Sequence, residues 1–156
     1  MRRSFVISAM ACSLALAPAL AVAQDAAQPT PAKLAFDTPA GMLLVPIKPD
    51  QTAAFEEMVS KIKSGLAKTE DAVLKQQAGS FKVFKGVSAQ DRVMYVVMVD
   101  PAVGKAEYDL FMLLQKVLTK EELSNQEATK AMWEKYRNAF VAGYNIWPLT
   151  PVGGAQ

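Results

Sequence analysis

Seven consecutive residues, Val93-Met94-Tyr95-Val96-Val97-Met98-Val99, carry no polar group except the Tyr95 hydroxyl, and they constrain the fold more than any other stretch. Their β-branched and aromatic content favours a strand, and a strand sends alternate side chains to opposite faces. Val93, Tyr95, Val97 and Val99 share one face, and Met94, Val96 and Met98 share the other. Neither set is polar. An antiparallel sheet with one wet face alternates apolar with polar residues, so this strand belongs in the middle of a sheet that is covered on both sides. Soluble monomers rarely leave a large apolar patch open. The cover on the second face is therefore a second copy of the chain or a bound apolar ligand. Val96 and Val97 point to opposite faces, one to the core and one to that cover, so both stand with Met94 and Met98 as candidates for the interface.

The remaining elements follow from periodicity and caps. Residues 42–47 are a short apolar run read as a first strand, although Pro46 removes one ladder donor. Asp50 is a good N-cap for a helix that places Phe55, Met58, Val59, Ile62 and Leu66 on one side. Glu56, Glu57, Lys61, Lys63 and Lys68 take the other side, with Glu57 and Lys61 spaced for an i,i+4 pair. That helix, in one or two pieces, runs out near Gly79. Residues 81–87 and 93–99 form a hairpin through the polar turn 88–92. A second helix is expected from about Lys105, presenting Tyr108, Phe111, Leu114 and Leu118. Thr119 and Ser124 each open a capping-box pattern, and the helix that follows turns Ala128, Met132, Tyr136, Ala139 and Phe140 inward as far as Gly143. Residues 144–147 are a last strand closed by Pro148.

The order β-α-β-β-α-β is the split βαβ, ferredoxin-like pattern of an α+β sandwich, an antiparallel sheet with helices on one face. Its first and third strands lie in the middle, matching the two most apolar runs. Its second strand lies at an edge, where Lys82 and Lys85 act as gatekeepers against aggregation.

The N-terminus is expected to be a cleaved secretory signal, residues 1–23. Arg2-Arg3 gives the positive head, residues 5–17 the apolar region, and Ala21 and Ala23 the small residues read by a signal peptidase. The paired arginines also fit a twin-arginine route. This apolar run is too short for a permanent span, which takes roughly 20 residues, so the expectation is an exported, periplasmic or secreted protein with no stable membrane insertion. Residues 24–40 read as a flexible leader rich in Ala and Pro, 41–149 as a single α+β domain, and 150–156 as a disordered tail.

Removing the signal takes away Arg2 and Arg3, which brings the 17 basic residues down to the number of acidic ones, 15. A neutral surface of interspersed signs offers no footprint for nucleic acid. The one cysteine, Cys12, leaves with the signal, so no disulfide helps the core. Histidine is absent from the whole chain. That excludes Ser-His-Asp and Cys-His nucleophile systems and His-ligated zinc, copper or haem, and no cofactor or metal is expected.

Candidate site residues come from the aromatic run Trp133, Tyr136, Phe140, Tyr144 and Trp147. Its simplest role is packing. As a site it would line an apolar pocket for a ring-shaped ligand, with Tyr144 and Trp147 as walls and Tyr95 and Asn145 as orienting polar groups. Asp100, Glu107 and Asp109 cluster in sequence, but turn and helix-start roles account for them. Met94 and Met98 have the residue type of a soft-metal site, and packing accounts for them more simply.

Taken together, the four strands and the apolar open face resemble the dimeric α+β barrel superfamily, in which two sheets pack face to face. Residues 75–85, Lys-Gln-Gln-Ala-Gly-Ser-Phe-Lys-Val-Phe-Lys, with Asp100-Pro101, resemble its exported bacterial members of unknown function. The resemblance implies a homodimer. The superfamily includes cofactor-free monooxygenases, haem-degrading enzymes, decolorising peroxidases and members without known chemistry. Branches that ligate haem through histidine find no counterpart here, and no catalytic residue carries over. The leading expectation is a non-catalytic homodimer able to enclose a small apolar or aromatic ligand. The alternatives are a cofactor-free monooxygenase- or isomerase-like enzyme working between the sheets, and a component of an envelope assembly.

Overall fold

The structure, a computed structural model, describes residues 34–89 and 91–153. The signal and most of the leader expected from the sequence, and the last residues of the tail, lie outside the described residues.

Four strands form one antiparallel sheet: β1 (Ala40–Ile47), β2 (Phe81–Ser88), β3 (Val93–Val99) and β4 (Asn145–Leu149). Their order is β2-β3-β1-β4, with the two most apolar strands in the middle. Pro46 is tolerated in a central strand for a local reason. Its carbonyl accepts from the Val141 N–H at 3.0 Å, so its backbone faces the β4 side, and the β1–β4 ladder has already ended at Leu44 opposite Asn145. Pro148 lies within β4, opposite Gly41, instead of closing it. An edge strand accepts proline because one row of its donors has no partner.

Helix α1 (Thr52–Lys68) buries Phe55, Met58, Val59, Ile62 and Leu66 as the spacing predicts. A 3-10 turn at Pro49–Gln51 precedes it, and Asp50 is not its cap. Asp71 caps α2 (Ala72–Ser80), its carboxylate accepting from the Val73 and Leu74 N–H groups at 2.9 Å. Asp109 caps α3 (Leu110–Val117) in the same way. This third helix therefore starts five residues after Lys105. Residues 105–109 are held instead by a distant partner, since Tyr108 N–H donates to the Leu34 carbonyl at 2.8 Å. Thr119 completes a full capping box on the short α4 (Lys120–Ser124). Asn125, not Ser124, caps α5 (Gln126–Ala139). Of the residues expected inward on α5, Tyr136 and Ala139 are buried, Met132 and Phe140 partly so, and Ala128 is exposed.

One core joins the buried helix residues to Leu43, Val45 and Ile47 of β1 and to Val93, Tyr95, Val97 and Val99 of β3. The core also takes in a residue before Gly41: Phe36 is only 2% exposed and packs at a tilt on Tyr108 with ring centroids 5.4 Å apart. A Cβ at Gly41 would lie 2.3 Å from the Phe36 ring, so only glycine admits it. Gly65 does the same for helix packing, where a Cβ would meet Val117 at 2.3 Å.

Candidate functional site

The second face of the sheet is the feature that packing within the domain leaves over. Residues paired directly across antiparallel strands share a face, so the register reads off its rows. One row runs Trp147, Met42, Met98, Lys82, and the next Asn145, Leu44, Val96, Phe84. Pro46 and Met94 begin a third. None of Met42, Leu44, Met94, Val96 or Met98 belongs to the core or packs against it. The two large aromatics stand at opposite edges, Trp147 at 52% and Phe84 at 54% exposure. The face is thus a low centre of Met, Leu and Val between two taller aromatic margins, with Lys82 and Asn145 as its polar groups.

This geometry resolves the choice between the two valines. Val97 is fully buried toward the helices and leaves the list of interface candidates, whereas Val96 lies with Met94 and Met98 on the open face.

The four expected ligand residues do not converge. Tyr95 is on the helix side, 2% exposed, where its hydroxyl donates to Glu56 Oε1 at 2.5 Å and its ring packs on Phe55 at 4.6 Å. Asn145 and Trp147 lie on the opposite face. Tyr144 is half-buried and donates to Asp109. The cavity touching Tyr95, about 220 Å³, is lined by Phe55, Glu56, Val59, Lys63, Val83 and Lys85, not by the other three. Nor is the aromatic run one pocket: Trp133 packs on Phe111, Phe140 bridges Phe111 and Tyr144, and Tyr136 reaches α1.

The titratable groups near these side chains clamp elements together. Glu56 accepts from Tyr95 and from Lys85 Nζ at 2.9 Å, tying α1 to both β3 and β2. Glu57 accepts from Lys135 and from the Tyr136 hydroxyl at 2.8 Å, tying α1 to α5. The expected Glu57–Lys61 pair is replaced by these contacts, and Lys61 bridges to Glu122 at 3.3 Å. The Tyr95 and then the Lys85 hydrogen bond hold Glu56 below the usual carboxylate range, and Lys135 and then Tyr136 do so for Glu57. Burial, then the partner carboxylate, pushes the Tyr95, Tyr136 and Tyr144 hydroxyls up. These phenols are held as neutral donors, the opposite of an activated base.

Glu107 and Asp109 also have structural partners. Glu107 Oε1 accepts from the Leu34 and Asp109 N–H groups, both at 2.9 Å, which pins the N-terminal arm. Asp109 accepts from the Phe111 and Met112 N–H groups at 3.1 and 3.0 Å. Among the described residues no group of three or more His, Cys, Asp or Glu is placed to hold a metal ion, and no helix is long and apolar enough to cross a membrane. Met94 and Met98 have Val96 between them on their face, about 13 Å apart along an extended strand, and do not converge on an ion.

Sequence reasoning found Met94, Val96 and Met98 but missed Met42, Leu44, Phe84 and Lys82 as their neighbours. The alternation of β1 was a usable signal; the pairing register was not. Comparison of the chain with protein-family models, with curated proteins and with solved structures returns no match.

Proposed function

We propose that this chain is an exported, non-catalytic homodimerisation domain, freed of residues 1–23 by cleavage after Ala23. In this reading it is a ferredoxin-like split βαβ sheet of the dimeric α+β barrel type, and two copies pack sheet to sheet through the open face. The observation that carries the reading is the row structure of that face: Met42, Leu44, Val96 and Met98 at its centre are apolar, and none of them serves the domain's own core. Four strands spaced about 4.8 Å apart and rows about 6.7 Å apart give a plan area of roughly 400 Å². Side-chain relief enlarges the accessible area beyond the plan, toward the 800 Å² or so per partner of a standard interface. The main pockets among the described residues lie elsewhere, none lined by Met42, Leu44, Val96 or Met98, so a face four strands wide suits a second sheet better than a small molecule, which binds in an enclosed pocket. Lys82 and Asn145 lie on the edge strands, where polar tips reach water at the rim of the pair while the Trp147 ring closes over its apolar margin. Native mass spectrometry of protein purified from the periplasm tests the proposal. A ligand-free dimer beginning at Gln24 is expected. A monomer retaining a small apolar molecule would assign the face to a ligand, and a ligand-free monomer would refute both.

A further inference from the structure

The open face is unusually rich in one oxidisable group. Six methionines lie beyond residue 23, and three of them, Met42, Met94 and Met98, are on this face. Met42 and Met98 are direct cross-strand partners at its centre. With Cys12 removed, no thiol competes for an oxidant. Each of the three is only partly covered in the single chain, whereas Met58 is fully buried under α1.

From this arrangement, and resting on the homodimer reading above, we propose that the open face is a modification site: sulfoxidation of Met42 and Met98 separates the two copies. The chemistry is a two-electron oxygen transfer. The thioether sulfur attacks one oxygen of hydrogen peroxide, the O–O bond breaks, sulfur gains an oxygen, and the peroxide is reduced to water. Reduction by two thiols reverses the step, giving the thioether, water and a disulfide between the thiols. The product is a strong hydrogen-bond acceptor where an apolar sulfur had been. In the separated chain it is solvated by water. In the closed pair it would be buried against apolar side chains, and polar groups buried without partners are costly. Attack takes place on separated copies, where the face is open, so oxidation traps them apart.

Peroxide treatment of the mature chain at a series of protein concentrations, with peptide mass mapping and sedimentation velocity, tests the proposal. Oxidation of Met42 and Met98 should slow about tenfold when the protein is raised to a hundred times its dimer dissociation constant, by mass action. Met112 and Met132, half-exposed on the helices, should oxidise at an unchanged rate, and Met58 should stay reduced. The oxidised chain should run as a folded monomer, its association weakened at least about a hundredfold by the buried polar groups. A double variant, Met42→Leu with Met98→Leu, keeps volume and apolarity and should remain dimeric in peroxide. A dimer that survives full oxidation of Met42 and Met98 overturns the proposal, as does a double variant that dissociates as readily as the wild type. If the untreated protein is monomeric at every concentration, the dimer reading itself has failed; if it is dimeric and indifferent to peroxide, only the modification site has.

Discussion

Adjacent residues on β3 provide a test with opposite outcomes. Val97 is fully buried between sheet and helices, and Val96 lies one residue away on the other face, between Leu44 and Phe84. In Val97→Lys the core loses about 1.5–3 kcal/mol of apolar burial, and an unpaired ammonium there adds several kcal/mol more. A domain of this size has about 5–15 kcal/mol of stability in total, so the variant should lose its folded circular-dichroism signal. The milder Val97→Ala removes two methyl groups' worth of transfer energy, about 1.6 kcal/mol, and the residual cavity brings the loss to about 2–3 kcal/mol. That corresponds to a Tm lower by about 10 °C or more. Val96→Lys should keep the wild-type signal, because its ammonium reaches water in the separated chain. It should instead weaken association at least about a hundredfold, since the pair would bury two unpaired charges. Thermal denaturation followed by circular dichroism, with sedimentation velocity on the folded variants, reads both effects. A Val96→Lys chain that unfolds like Val97→Lys, or a Val97→Lys chain with wild-type Tm, would refute the face assignment.

Other expectations follow from the clamps and the arm. Phe36→Ala should cost about 3–5 kcal/mol, as for other buried aromatics, and urea denaturation would show whether the segment before Gly41 belongs to the fold. The pH profile should have a plateau with two falling ends. The folded-state values of Glu56 and Glu57 are below the ordinary 4.5, so their contribution is present above that pH and is lost as pH falls through the folded values. Tyr95, Tyr108, Tyr136 and Tyr144 are held above the ordinary 10.0, so theirs is present below that pH and is lost as pH rises. With no histidine to titrate between them, denaturation midpoints should be level from about pH 6 to 9 and lower at both extremes. Intact-mass analysis of exported material should give a chain starting at Gln24, and a chain that keeps residues 1–23 would contradict the expected cleavage.

Much of the fold was legible because its strongest signals are local. The alternation in β3 and the 3.6-residue spacing in α1 each fix which side chains share a face, and burial follows both. What was not legible depends on partners distant in sequence. The arm at residues 34–40 has the composition of a linker, yet one residue, Phe36, anchors it, and the ledge that receives it displaced the start of α3 from Lys105 to Leu110. Similarly, the candidate site failed to assemble because face parity does not pass from strand to strand in sequence. Tyr95 and Trp147 are on opposite faces only because Trp147 pairs with Met42 and Met42 with Met98. The long-range ties of Glu56 to Lys85 and Glu57 to Lys135 likewise replaced the local pair that helix spacing offered.

Trp147 itself gives the most direct measurement of the central claim. It stands on the open face at 52% exposure, while the other tryptophan, Trp133, packs on Phe111 among the helices and can be removed as Trp133→Phe. In that background the fluorescence of Trp147 should be blue-shifted and shielded from acrylamide at high protein concentration. It should move red and become quenchable on dilution, over the range in which sedimentation shows the dimer dissociating. A Trp147 emission that stays red and freely quenched in a sample shown to be dimeric would place the interface elsewhere and contradict the pairing of the two sheets.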